Sequence, residues 1–136
     1  MSTLTDLLRP LLRARYPEHV HVPDDGSAIA VFRSAHPDVG QLELVDENEE
    51  VTAVLGTFTH GHFSCFDEDL SVVQRAHEIA AEVIPFLDDL FADRIEFWGS
   101  HQRAGGWYRR GAGRSALLGL CGGTTYVWSG PVETGG

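Results

Sequence analysis

Residues 51–90 read VTAVLGTFTHGHFSCFDEDLSVVQRAHEIAAEVIPFLDDL, and this stretch decides the fold. Its first part is rich in β-branched residues, which favour a buried strand that begins at Val51. The glycine of His60-Gly61-His62 indicates a turn after that strand. Apolar residues then recur at steps of three and four up to Leu90, which is the spacing of one helical face. A helix that is apolar on one side needs a sheet to pack against.

The long helix is predicted to begin at the acidic run Asp67-Glu68-Asp69. One apolar stripe of the helix is assigned to Leu70, Val73, His77, Ala80, Ile84 and Leu87, and an adjoining stripe widens it with Val72, Ala76, Ile79, Val83, Phe86 and Leu90. On this assignment His77 is a buried, neutral and hydrogen-bonded histidine. Pro85 is expected to bend the helix or to separate its last turn, because proline removes one backbone hydrogen bond.

Strand patterns on both sides of this stretch predict the sheet. They cover residues 18–22, 28–33 and 41–45 before it, and residues 93–98, 105–110 and 124–128 after it. Connections as short as these join antiparallel strands. Leucines on one side of residues 3–15 predict a first helix. We therefore predict an α+β fold: one twisted antiparallel sheet of about six strands, with the long helix across one face and the N-terminal helix beside it.

Length and composition limit the classes of protein. The 136 residues suit one domain, predicted over residues 1–130, with a disordered tail over 131–136. No apolar run approaches the roughly 20 residues of a membrane span, so we expect a cytoplasmic protein without a membrane partner. The net charge of −10 argues against nucleic acid as a partner, because such binding depends on neutralising phosphates. Two cysteines are too few for a disulfide framework.

Acidic residues are concentrated in the middle of the chain. Residues 38–96 hold two arginines against fifteen acidic residues. Such a surface suits a basic partner, although acidic side chains also serve simply to keep a surface solvated. The candidate partner-binding residues are Glu47, Glu49, Glu50, Asp67, Glu68 and Asp69.

A histidine pair followed by a cysteine is the candidate metal site. If residues 60–62 are extended, His60 and His62 point the same way and could share a metal such as zinc with Cys65. A thiol nucleophile at Cys65 with a histidine base is the corresponding enzymatic alternative. The simpler interpretation is a loop whose histidines bind backbone groups. No serine lies in a nucleophile-elbow pattern, and no catalytic residue or cofactor is assigned.

The run Glu50-Val51-Thr52-Ala53-Val54-Leu55-Gly56-Thr57-Phe58-Thr59-His60-Gly61-His62-Phe63, the long helix and the Phe97-Trp98 strand resemble small uncharacterised bacterial α+β proteins. Some of these occur as immunity partners in polymorphic-toxin systems. The resemblance covers about residues 50–98 and implies binding to a basic toxin, without any catalytic residue. The size and charge are also similar to those of acidic secretion chaperones, whose final helix is missing here.

Three hypotheses follow from the sequence. The first is a protein-binding module that binds a basic protein through its acidic surface, with an immunity-type partner as its specific form. The second is a small metal-dependent or thiol enzyme centred on His60, His62 and Cys65. The third is a secretion-chaperone-like protein. A binding role is favoured over an enzymatic one because no catalytic motif is present.

Overall fold

The computed structural model describes residues 3–24, 26–56, 58–100, 103–109 and 125–132. Within these ranges two helices and nine short strands follow one another. They are α1 (Thr3–Arg15), β1 (Val20–His21), β2 (Ala30–Arg33), β3 (Gln41–Asp46), β4 (Val51–Leu55), β5 (Thr59–Phe63), α2 (Val72–Phe91), β6 (Ile95–Ser100), β7 (Arg103–Arg109), β8 (Tyr126–Val127) and β9 (Gly130–Pro131). The α+β class is confirmed, and every strand pair in the described ranges is antiparallel.

The first five strands form a meander in which each strand pairs with the next one in the chain. Residues that pair directly across two strands share a face of the sheet, so the register defines an inner and an outer face. The inner face carries apolar residues that include Phe32, Leu42 and Phe63. The outer face carries Thr52 opposite His62, among other residues.

Both helices cover the inner face. In α1 the buried leucines are Leu4, Leu8 and Leu12. In α2 the rings of Phe86 and Phe91 contact inner-face rings: Phe86 lies 5.2 Å from Phe63, and Phe91 lies 5.1 Å from Phe32. Each helix runs without interruption through its proline, so neither Pro10 nor Pro85 divides it. Neither helix is long and apolar enough to cross a membrane.

The last four strands form a second sheet in the order β7-β6-β8-β9. The strands therefore belong to two sheets of five and four, where the sequence pattern predicts about six in one. The second sheet joins the core through side chains: the ring of Phe97 lies 5.1 Å from that of Phe58, and the ring of Trp107 lies 5.0 Å from that of Phe86. A Cβ atom on Gly61 would stand 3.3 Å from Nε1 of Trp107. Gly61 thus gives the indole room to pack on β5.

The His60-Gly61-His62 segment is a strand and not the predicted turn. Its backbone pairs with β4 along the whole of β5, and the turn falls earlier, at Gly56, whose φ is +52°. A sequence alone does not distinguish a glycine that forms a turn from a glycine that makes room for a tryptophan. The difference changes the site, because an extended segment places both histidines on one face.

Helix α2 begins later than predicted. Ser71 is its N-cap: the Ser71 hydroxyl accepts from the backbone N–H of Gln74, and the Gln74 side chain accepts from the backbone N–H of Ser71. This capping box satisfies two free donors of the first turn. The acidic run Asp67-Glu68-Asp69 consequently lies in the loop before the helix.

The buried face of α2 lies within the predicted apolar stripes and is centred on the adjoining stripe that contains Val83. The buried residues are Ala76, Ile79, Ala80, Val83, Phe86, Leu87 and Leu90. At about 100° per residue, His77 lies roughly 120° from Val83 at the centre of this face. His77 is therefore exposed, which corrects the prediction of a buried histidine, and Val73 is 52% exposed. Ile84 is half-buried, at the edge of the face.

Residues 131 and 132, which belong to the predicted tail, are paired with β8 and the residue before it. Pro131 pairs with Tyr126, and the backbone N–H of Val132 donates to the carbonyl of Thr125. Residues 133–136 of the predicted tail lie outside the described residues.

A polar cluster joins α1 to α2. The guanidinium of Arg15 and the hydroxyl of Tyr16 both donate to the carboxylate of Asp88. These hydrogen bonds, the one from Arg15 above all, hold the pKa of Asp88 below its usual value. Because this pKa is lower in the folded than in the unfolded chain, the cluster stabilises the fold above the unfolded pKa and loses that contribution as the pH falls.

Replacing Asp88 with asparagine tests the cluster. We expect the difference in the free energy of unfolding between wild type and Asp88→Asn to be full at neutral pH and to shrink as the pH falls below about 4. Tyr16→Phe, which removes one hydrogen bond, should cost about 1 kcal/mol at neutral pH. Urea unfolding at several pH values measures both differences. A difference that is constant down to pH 3 would show that Asp88 keeps an ordinary pKa.

Candidate functional site

The acidic β3–β4 hairpin has a strained tip. Glu47 and Glu50 exchange backbone hydrogen bonds around the two-residue loop Asn48-Glu49, whose φ angles are +56° and +71°. Positive φ at both positions is typical of the type I′ turn, which matches the twist of a hairpin. Asn tolerates this region, whereas Glu costs about 1–2 kcal/mol there. The carboxylate of Asp46 offsets part of the cost by accepting from the backbone N–H of Glu49 at 3.0 Å.

The segment that leads to α2 leaves the sheet beside this hairpin. Val51 pairs with Phe63, so the chain before Val51 and the chain after Phe63 emerge at the same end of neighbouring strands. A groove of about 710 Å³ lies between them. Its lining residues are Glu47, Asn48, Glu49, Glu50, Cys65, Phe66 and Arg75.

The side chain of Phe66 is the most unusual feature of this groove. It is 78% exposed, although it stands next to a cavity that could cover an aromatic ring. Val72 and Val73, at the start of α2, are exposed as well. An aromatic ring left in water next to a groove is typical of protein–protein contact surfaces.

The six predicted partner-binding residues divide into two groups. Glu47, Glu49 and Glu50 line the groove. Asp67, Glu68 and Asp69 do not line it; they are exposed and follow Phe66 directly in the chain. The first group thus shares the groove with Phe66, and the second group follows Phe66 in the chain.

Three groove residues were missed from the sequence: Asn48, Phe66 and Arg75. Phe66 fits neither the alternation of the strands nor the apolar stripe of the helix. A large apolar residue outside both patterns was the feature of the sequence that could have indicated an exposed ring. Arg75 is half-buried in the groove, and its guanidinium makes no ion pair with any residue in the described ranges. Nothing in the spacing of the sequence places an arginine opposite an acidic hairpin.

The predicted metal residues are brought together only in part. The rings of His60 and His62 lie 5.1 Å apart, centroid to centroid, on the outer face of β5. No group of three metal-binding side chains occurs among the described residues, so Cys65 does not complete a set with the two histidines. Cys65 also makes no hydrogen bond to a described histidine, and it lies in the groove instead.

Comparison with known proteins adds no relative: no protein-family model, no curated protein and no solved structure matches this chain. The groove and the histidine pair are therefore the grounds for a function.

Proposed function

We propose that this protein binds a basic protein through the groove between the β3–β4 hairpin and the segment before α2. The observation that carries the proposal is the exposed ring of Phe66 in a groove whose other wall is acidic. Residues 50–98 resemble small bacterial α+β proteins, some of which are immunity partners of polymorphic toxins, and this resemblance favours a toxin as the class of partner. A cytoplasmic location, where such a partner is neutralised, belongs to the same proposal.

The charge of the groove supports a basic partner. Three glutamates line one wall, and three further acidic residues follow Phe66 in the chain. A concentration of one charge sign on a surface steers an oppositely charged partner and raises its association rate. Arg75 lines the same groove. An ion pair between its guanidinium and a carboxylate of the partner would fix the orientation of the complex.

The apolar part of the groove would contribute to the affinity for the partner, whereas the charges act on the association rate. Interfaces gain most of their free energy from a few buried aromatic or arginine side chains that a polar rim shields from water. Phe66 offers such an aromatic side chain: it shares the groove with three glutamates, and three further acidic residues follow it in the chain. A partner that covers its ring would gain apolar burial that the free protein lacks.

The strain at the hairpin tip supports a role for the side chain of Glu49. Glycine would adopt its positive φ without the steric cost that glutamate meets. Strained backbone is concentrated at functional sites, where the side chain has a use that compensates for the cost. A carboxylate in the groove wall is such a use.

Removing three hairpin charges tests the steering. The partner is first captured from cells of the source organism with wild-type protein and identified. Association rates are then measured by stopped flow at low and high salt. We expect Glu47→Gln/Glu49→Gln/Glu50→Gln to slow association about tenfold at low salt, and the difference to shrink at high salt because the screening length falls.

The matched control is Glu18→Gln/Glu78→Gln/Glu82→Gln. It removes the same total charge from exposed positions outside the groove. Neither triple variant should change the free energy of unfolding by much, since none of the six glutamates is fully buried and none forms an ion pair with a described residue. A partner that associates equally fast with the wild type and the hairpin variant would contradict the proposal.

A further inference from the structure

The histidine pair on β5 is separate from the groove and is not used by the proposed function. Residues two apart on a strand point to the same side, and both His60 and His62 are exposed. Their ring centroids are 5.1 Å apart and the ring planes are nearly perpendicular, at 79°. Rotation of the exposed His60 side chain can therefore bring a nitrogen of each ring to one common point.

A buried hydroxyl fixes the ring of His62. Thr52 pairs with His62 across β4 and β5, and its Oγ1 lies 3.1 Å from Nδ1 of that ring. Thr52 is only 4% exposed, although it lies on the outer face of the sheet. Histidines that bind metals usually donate their other ring N–H to an oxygen, which sets the tautomer and the ring orientation. With Oγ1 as the acceptor from Nδ1–H, the ring nitrogen of His62 that carries a lone pair for a metal is Nε2.

We propose that His60 and His62 together chelate a divalent transition-metal ion, of the class of Ni²⁺, Cu²⁺ or Zn²⁺, with Thr52 as the residue that orients His62. Imidazole nitrogens suit these ions and not Ca²⁺ or Mg²⁺, which prefer oxygen ligands. Two protein ligands leave coordination positions open for water or for a ligand from another molecule. Cys65 takes no part in this site.

Ni²⁺ alone is the probe for the test, with protein purified without a histidine tag. Isothermal titration calorimetry of the full chain should show binding at one site. His60→Ala and His62→Ala should each lower the affinity at least about tenfold, because each leaves a single ligand. His77→Ala is the matched control, since His77 is exposed on α2 and away from the pair; its affinity should equal that of wild type.

The role of Thr52 has its own test. Thr52→Val keeps the shape of the side chain and both ligands but removes the acceptor oxygen. We expect it to lower the affinity about tenfold, in line with other residues that orient metal ligands. In the wild type without metal, long-range ¹⁵N spectra should show the proton of His62 on Nδ1, and in Thr52→Val this preference should be lost.

Several results would overturn the proposal. Unchanged affinity in both histidine variants would place the metal elsewhere, and a loss in Cys65→Ser equal to that in His60→Ala would make the cysteine a ligand. The proton of His62 on Nε2 in the wild type would remove the role of Thr52. Circular dichroism and urea unfolding of each variant confirm that it is folded; because both histidines are exposed, their replacement should leave the fold intact.

Discussion

Phe97→Ala is expected to lower the free energy of unfolding by about 3–5 kcal/mol, the usual cost of truncating a buried aromatic residue. Phe97 has no exposed surface, and its ring contacts those of Phe58 and Tyr126 at centroid distances of 5.1 and 6.2 Å. Phe58 lies in the turn between β4 and β5, whereas Phe97 belongs to the second sheet. The substitution therefore removes packing within the second sheet and between the two sheets. Urea unfolding followed by circular dichroism measures the loss.

Val73→Ala is the control for this experiment. Val73 is 52% exposed at the start of α2, so its truncation should change the free energy of unfolding by no more than about 0.5 kcal/mol. A loss below about 1 kcal/mol in Phe97→Ala would mean that the second sheet is not packed on the first as described. The unfolding transition of that variant should remain a single one, because both sheets share one core.

Phe66→Ala is expected to weaken binding of the partner by about 2 kcal/mol or more, which is roughly a thirtyfold increase in Kd. The same substitution should leave the free energy of unfolding within about 0.5 kcal/mol of wild type, because the ring is 78% exposed in the free protein. A loss of binding without a loss of stability is the signature of a residue that a partner covers. Surface plasmon resonance gives the Kd, and urea unfolding gives the stability.

Leu11→Ala is the matched control for Phe66. Leu11 is an exposed apolar residue on α1, outside the groove, so its truncation should change neither the Kd nor the stability by much. Equal affinity of wild type and Phe66→Ala would contradict the role of the ring. The two kinds of groove variant also differ in kinetics: removal of hairpin charges slows association, whereas Phe66→Ala speeds dissociation.

Local patterns were enough to predict both helices, most of the strands and their antiparallel pairing. The loop Asp46-Glu47-Asn48-Glu49-Glu50 is too short to permit anything but a hairpin. The leucines of residues 3–15 place α1, and the steps of three and four place α2 to within a few residues. The S-x-x-Q pattern at Ser71 was a readable signal for the start of α2 that the acidic run obscured. These properties depend on neighbours in the chain, so the sequence contains them.

The buried face of α2 and the placement of the histidine pair depend on residues far apart in the chain, so only the tertiary structure shows them. Two overlapping apolar stripes were available on α2, and packing against Phe32 and Phe63 selected the one that leaves His77 exposed. Gly61 packs against Trp107 within a strand that pairs with β4. Because the segment is a strand, His60 and His62 lie on one face.

The groove has the same origin. Glu47 and Phe66 come together only because Val51 pairs with Phe63, which brings two loops out at one end of the sheet. The sequence therefore shows the acidic residues and the aromatic residue, but it does not show that they lie in one groove. Strand register is the alignment of one strand against another. The periodicity of a single strand does not indicate which residues of its neighbour will lie opposite its own.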